Sequence, residues 1–355
     1  MDTYFLTALQ PDPVVAWYYL KFLEEGVLDV ADHVLLFWSA GEAARRNLPN
    51  CVWLKEVRDF FHQKFLDIPQ VHWYEQGFAS LKDIKFSGGF VTHFDAMDYM
   101  FGDVPAGSIT VSYDSDVFWW DIERLKYYVG LVELDKFDLV GGVPSGCGTQ
   151  IHDAISTRRP PDNVHPSFVV IGTDNMMKVR PQPGVMAFGR PVRWRPYIWK
   201  AGDYVDQVDL HVTERTAVDV FGWASLEIFD RLKLNRFYEV IDQPRYQEAF
   251  DTFIGERGWC HLAATSSQMY IWRTLFPGLE EDSPKWTRRR AIFAVARQLI
   301  GFSRLLKDKE FMALPHAKDC INEAQDGLEY TCGVHHIERE DIRKMKDRIL
   351  EHYPL

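Results

Sequence analysis

Asp114-Ser115-Asp116 come directly after an alternating run in which Ile109, Val111 and Tyr113 are separated by Thr110 and Ser112. The period of two predicts a β-strand, so both carboxylates are delivered to its carboxyl end. Two hard oxygen donors one residue apart at the carboxyl edge of a parallel sheet can hold a divalent cation against a diphosphate. Asp116 also has a plainer reading, as the N-cap of a helix expected to begin near Trp119, because an aspartate there satisfies the first helical N–H groups. Other chemistry-bearing groups carry less. Cys320, Cys332, His335 and His336 are metal-binding types, but their spacing matches no structural zinc pattern and a charged helical tail accounts for them. Gly141 to Gly148 is glycine-rich without the lysine of a phosphate loop, and it reads as a flexible loop. Trp119, Trp120, Trp194, Trp199 and Trp223 offer faces on which a sugar could stack, and packing explains each of them as well.

The elements that must position the two aspartates alternate in type. Tyr4 to Leu9 is an expected strand, closed by the turn residues Gln10-Pro11-Asp12-Pro13. Val14 to Glu25 has helical spacing with Gly26 as its stop, His33 to Phe37 is a second strand, and Ser39-Ala40-Gly41 closes it. Trp53 to Phe65 and Gly89 to Phe101 are expected helices, and Gln70 to Tyr74 and Ser108 to Tyr113 are strands. This order implies an α/β fold, a mainly parallel central sheet flanked by helices, with functional groups on the loops after the strands. Further on, Phe137 to Val143, Ser167 to Gly172 and Gly184 to Phe188 read as strands, and Val218 to Leu232 as a helix. From Glu280 the texture becomes charged and helix-periodic, which places a boundary near Pro277-Gly278 and a C-terminal helical extension over 279–355.

The chain has 355 residues, of which 46% are hydrophobic and 26% charged, an ordinary globular composition. Its net charge of -11 argues against general nucleic-acid binding, which needs a basic surface. Five scattered cysteines imply no disulfide framework and favour a reducing compartment. No secretory leader and no apolar run of about 18 residues is visible, so a cytoplasmic location is expected.

Four places, in order along roughly residues 3–275, resemble glycosyltransferases of the GT-A fold, nucleotide-sugar-dependent enzymes built on one Rossmann-related αβ domain. Asp114-Ser115-Asp116-Val117 is similar to the family's DxD motif. Ser87-Gly88-Gly89 with His93-Phe94-Asp95-Ala96-Met97-Asp98-Tyr99-Met100 resembles the helix that precedes the DxD strand and faces the donor. His165 to Ile171, followed by Asp219-Val220-Phe221-Gly222-Trp223, looks like the acceptor-side strand and the segment in which inverting members keep a base. Here one residue more than in the family's Asp-x-Gly separates Asp219 from Gly222. Cys260-His261-Leu262-Ala263-Ala264-Thr265-Ser266-Ser267 resembles the late loop whose histidine completes the metal site.

The resemblance implies a catalytic domain over 1–278, with a nucleotide-sugar half to about residue 118 and an acceptor half over 119–278. It implies that Asp114, Asp116 and His261 hold Mn2+ or Mg2+, that Thr7, Ala8, Ser39, Gly88, His93, Asp114 and Ser115 meet the donor, and that His165 and Trp223 lie on the acceptor side. Asp219 would be the base, with Glu214, Asp209 and Glu227 as competitors, and capping of the expected helix as its structural alternative. A satisfied core histidine is the alternative for His261. The implied reaction moves a hexosyl or deoxyhexosyl group from a UDP- or GDP-sugar to a glycan, lipid-linked or other hydroxyl acceptor. A cation between Asp116, His261 and the phosphates would neutralise charge on the leaving diphosphate. A nucleotidyltransferase and a noncatalytic carbohydrate-binding protein are the competing readings. Finally, Ile292, Val295, Leu299, Phe302 and Leu306 fall on one helical stripe, with Arg290, Arg297 and Arg304 opposite. Such a helix docks on the catalytic domain, or it makes peripheral membrane contact through a basic face.

Overall fold

The computed structural model describes residues 1–9, 12–38, 53–75, 96, 99–113, 117–119, 121–145, 165–179, 186–187, 190–191, 197–199, 204–205, 210–211, 216–218, 233–242, 259–261 and 288–352. Its strands are β1 (Thr3–Leu9), β2 (His33–Trp38), β3 (Val71–Glu75), β4 (Ile109–Tyr113), β5 (Val117–Trp119), β6 (Leu139–Ser145), β7 (His165–Gly172), β8 (Met186–Ala187), β9 (Arg190–Pro191), β10 (Tyr197–Trp199), β11 (Tyr204–Val205), β12 (Leu210–His211), β13 (Thr216–Val218), β14 (Arg236–Asp242) and β15 (Trp259–His261). Its helices are α1 (Pro13–Glu24), α2 (Trp53–Leu66), α3 (Ile122–Glu133), α4 (Thr173–Val179), α5 (Arg288–Leu305), α6 (Lys309–Met312), α7 (Ala317–Val334) and α8 (Arg339–His352).

Seven strands form one sheet in the order β14-β6-β7-β4-β1-β2-β3. Neighbours are parallel except at β7, which runs against both β4 and β6. The expected mainly parallel α/β sheet is therefore present. β1 and β4 are buried along their whole length, as near-continuous apolar strands covered on both faces must be. β3 is the sheet's last strand, and only Val71 of it is buried.

The first helix shows how the chain packs. Asp12 is fully buried, and its Oδ1 accepts from Val14 N at 2.7 Å and Val15 N at 3.2 Å, capping α1. Pro13 sits at N1, where a missing N–H costs nothing. At the other end Gly26 has φ 139°, and a Cβ there would come within 2.9 Å of Ile122 Cγ1 in α3. Glycine thus both ends the helical segment and lets α3 approach.

The C-terminal helices share the core with the sheet. One cluster of buried side chains runs from Phe5, Val34 and Val111 through Val14 and Phe61 to Phe293, Ile321 and Ile349. α5 packs against α1, α7 and α8, and burial encloses it from Ala291 to Phe302 with only Leu299 partly exposed. Each buried Ile, Val or Phe of this helix contributes roughly 1.5–3 kcal/mol. The expected basic stripe is corrected here, because Arg297 is 1% exposed and lies under Tyr18, its guanidinium 5.9 Å from that ring's centroid. Of the other arginines expected on that stripe, Arg304 is half-buried.

Two other expectations change. Residues 141–145 belong to β6, which pairs along its length with β14, so they are strand rather than loop. A register shift between Gly141 and Gly142 on the β7 side is what the glycines accommodate. Val218 ends β13, paired with Tyr197, so the expected helix over Val218 to Leu232 does not begin there, and its remainder lies outside the described residues. Of the expected helix Gly89 to Phe101, residues 96 and 99–101 are described and helical.

At Gly301 the backbones of α5 and α1 come so close that a Cβ would lie 3.2 Å from Val14 Cβ, and nearer still to its Cγ atoms. Gly301→Ala gains up to about 1 kcal/mol in helix propensity but overpacks this contact at a cost of about 1–3 kcal/mol. A net loss in denaturant-measured stability is expected. Adding Val14→Ala should leave the double variant more stable than the sum of the two single effects.

Candidate active site

β4 ends at Tyr113, immediately before Asp114. The Tyr113 ring is fixed from three sides, with centroids 5.8 Å from Phe5, 5.8 Å from Tyr19 and 5.8 Å from Phe22. Its carbonyl accepts a 2.9 Å hydrogen bond from Thr7 Oγ1 of β1. Ladder pairing between these strands is recorded as far as Leu6 with Ser112, so the threonine hydroxyl carries the β1–β4 contact one step further. The two aspartates therefore leave a strand end whose ring and carbonyl are both anchored.

The chain after them turns at once into β5, and β5 pairs antiparallel with β15. In that register His261 stands opposite Val117, the residue that follows Asp116. Main-chain pairing thereby sets His261 across from the residue that follows Asp116, 145 positions away in the sequence (261 minus 116). The capping alternative for Asp116 fails, because the next helix starts at Ile122 and its N-cap is Asp121, whose Oδ1 accepts from Arg124 N at 3.1 Å.

The reversal of β7 adds a third segment to this edge. Phe168 pairs with Tyr113, so the amino end of β7, with His165 registered against Gly142, projects past the end of β4 on the side where Asp114 begins. Asp219 directly follows β13 in the sequence. Asp114, Ser115, Asp116, Ser39, Gly88, His93, Asp219 and Trp223 lie outside the described residues, as do the competitors Asp209, Glu214 and Glu227.

Thr7 is fully buried and Ala8 is 3% exposed, because β1 lies between β4 and β2 with both faces covered. The Thr7 hydroxyl is the one that donates to the Tyr113 carbonyl. At the same edge β3 ends in Glu75. Burial acts to raise its carboxyl, but hydrogen bonds from Arg58 Nε (2.7 Å) and Trp73 Nε1 (3.2 Å) outweigh it and hold it below the usual range. Beside it, burial and the bond to Asp103 Oδ2 at 2.7 Å push the Tyr74 phenol upward.

Sequence reasoning missed β14 and β15. Trp259-Cys260-His261 is too short to show a period, and its partner Val117-Phe118-Trp119 is equally brief. Their aromatic and β-branched content was the available signal. Away from this edge, Cys320 is buried and Cys332 half-buried on α7, where burial raises the Cys332 thiol and lowers the His335 imidazole. Among the described residues no group of three or more His, Cys, Asp or Glu is poised for a metal. Among them, too, no helix is long and apolar enough to cross a membrane.

No family model matches the sequence, and no curated protein matches it. Among solved structures, the chain is similar to glucosyl-3-phosphoglycerate synthase from Mycobacterium tuberculosis in complex with Mn2+, UDP and glucosyl-3-phosphoglycerate, with 10% identity, 70% of this chain and 75% of that chain covered, and a TM-score of 0.41. It is also similar to a mannosyltransferase from Pyrobaculum calidifontis in complex with GDP-Man and Mn2+, with 10% identity, 99% and 86% covered, and a TM-score of 0.40. Likeness at this distance assigns neither a family nor a substrate.

Thr7→Val keeps the shape of the side chain but removes the hydroxyl that donates to the buried Tyr113 carbonyl. It should lower stability by about 1–3 kcal/mol, and Thr7→Ser should restore most of that. A loss in Thr7→Ser with none in Thr7→Val, read by chemical denaturation, would assign the effect to methyl packing instead.

Proposed function

We propose that the chain is a metal-dependent glycosyltransferase that uses a nucleotide sugar. The observation that supports this most is the β5–β15 register, which sets His261 opposite Val117, the residue after Asp116 in the sequence. Two carboxylates and an imidazole are a donor set suited to Mn2+, with Mg2+ served by the carboxylates. When bound, the cation supplies positive charge where the leaving diphosphate becomes more negative.

The chain's own residues do the rest. Asp114, Asp116 and His261 hold the cation, and Tyr113, tied by Thr7, fixes where Asp114 starts. Ser39, Gly88, His93 and Ser115 meet a UDP- or GDP-linked hexosyl or deoxyhexosyl donor. His165 and Trp223 border the acceptor, a glycan or lipid-linked hydroxyl. Asp219 accepts the acceptor's proton, which makes the reaction inverting. The placement of His165 at the edge where Asp114 begins supports an acceptor on that side.

Asp116→Asn and His261→Ala should each weaken Mn2+-dependent binding of UDP- and GDP-sugars, measured by calorimetry, with apo melting temperatures close to wild type. Unchanged metal dependence in Asp116→Asn overturns the metal assignment, and a large apo destabilisation in His261→Ala identifies a core histidine.

Asp219→Asn should lose about 10² to 10⁴ in transfer rate while keeping donor affinity, and the product's anomeric configuration, read by NMR, should be inverted. A retained configuration, or wild-type turnover in the variant, removes Asp219 from the mechanism.

A further inference from the structure

At the amino edge of the sheet, opposite the aspartate pair, two imidazoles meet across neighbouring strands. His33 is the first residue of β2 and His72 the second of β3, the sheet's last strand. His33 Nδ1 and His72 Nε2 lie 3.1 Å apart. His33 is half-buried and stacks on Tyr4 of β1, with centroids 4.4 Å apart and planes 21° apart, while His72 is open to solvent. Partial burial, then the proximity of His33, lowers the pKa of His72.

Two imidazole nitrogens on one tetrahedral ion, each about 2.0–2.1 Å from it, are separated by about 3.3 Å. The observed pair is within a few tenths of an ångström of that spacing. We infer that His33 and His72 form a two-histidine chelating site for a borderline divalent transition metal such as Zn2+, Cu2+ or Ni2+, which staples the edge strand β3 to β2. Neutral imidazole is the ligand these ions favour. The proton that the two facing nitrogens share moves to the far nitrogen of its own ring, so both facing nitrogens can ligate without loss of a proton. Among the described residues no third His, Cys, Asp or Glu joins the pair, and the remaining coordination positions belong to solvent. The site is distinct from the Asp114–Asp116 edge, since both histidines stand at the amino ends of strands whose carboxyl ends face it.

The test uses the full-length chain with Zn2+ or Cu2+ alone. Zinc should raise the melting temperature of the wild type by a few degrees at saturation. His33→Asn and His72→Asn should each weaken zinc binding at least about tenfold, a two-ligand site becoming a one-ligand site. The electron paramagnetic resonance spectrum of one equivalent of Cu2+ should show hyperfine coupling to two imidazole nitrogens in the wild type and to one in either variant. Zinc affinity unchanged in both variants, no binding at millimolar zinc, or a copper spectrum that neither substitution alters would overturn the proposal.

Discussion

The fold depends first on a carboxylate sealed away from water. Asp12 stands just past the end of β1, and a charge buried so completely is tolerated only when its oxygens are occupied. Oδ1 takes two N–H groups of α1, and Oδ2 takes Gln298 Nε2 of α5 at 3.1 Å. One side chain thus sets the start of the first helix and docks the C-terminal helices on it, across 286 residues of sequence. Tyr18 reinforces the same junction by donating its hydroxyl to the Arg297 carbonyl at 3.2 Å. A second tie lies further out, where Glu56 of α2 accepts from His316 N at 3.0 Å at the start of α7.

That junction accounts for the character of the C-terminal segment. α5 packs against α1, α7 and α8, and its apolar residues and Arg297 are interior together. The helices act as a layer of the same core that holds the sheet, and loss of their packing would release α1 as well. The close α1–α5 approach at Gly301 follows from the same docking.

From α1 the constraint passes to the carboxyl edge. Tyr19 and Phe22 of α1 pack on Tyr113, and Thr7 binds its carbonyl, so the helix position decides where the aspartate pair emerges. The reversed strand β7 completes the arrangement. A seventh parallel strand in its place would have put His165 at the far edge, whereas reversal sets it beside the end of β4.

The sequence by itself determined what depends on local pattern. The early strands and helices, β1 to β4 with α1 and α2, were legible because period-two and helical runs end in Gly, Pro and Asp. The placement of Asp114 and Asp116 after a strand was equally local. What only tertiary structure decided involves partners distant in the chain. The burial of Arg297 depends on α1, whose Tyr18 ring lies over it and which a helical wheel does not contain. The role of Thr7 depends on Tyr113, 106 residues away. The meeting of His33 with His72 depends on adjacent parallel strands, and that of His261 with Val117 on a three-residue ladder too short to carry a period. Side-chain periodicity records which face a residue takes, whereas strand register, set by hydrogen bonds between segments far apart, decides which residues become neighbours.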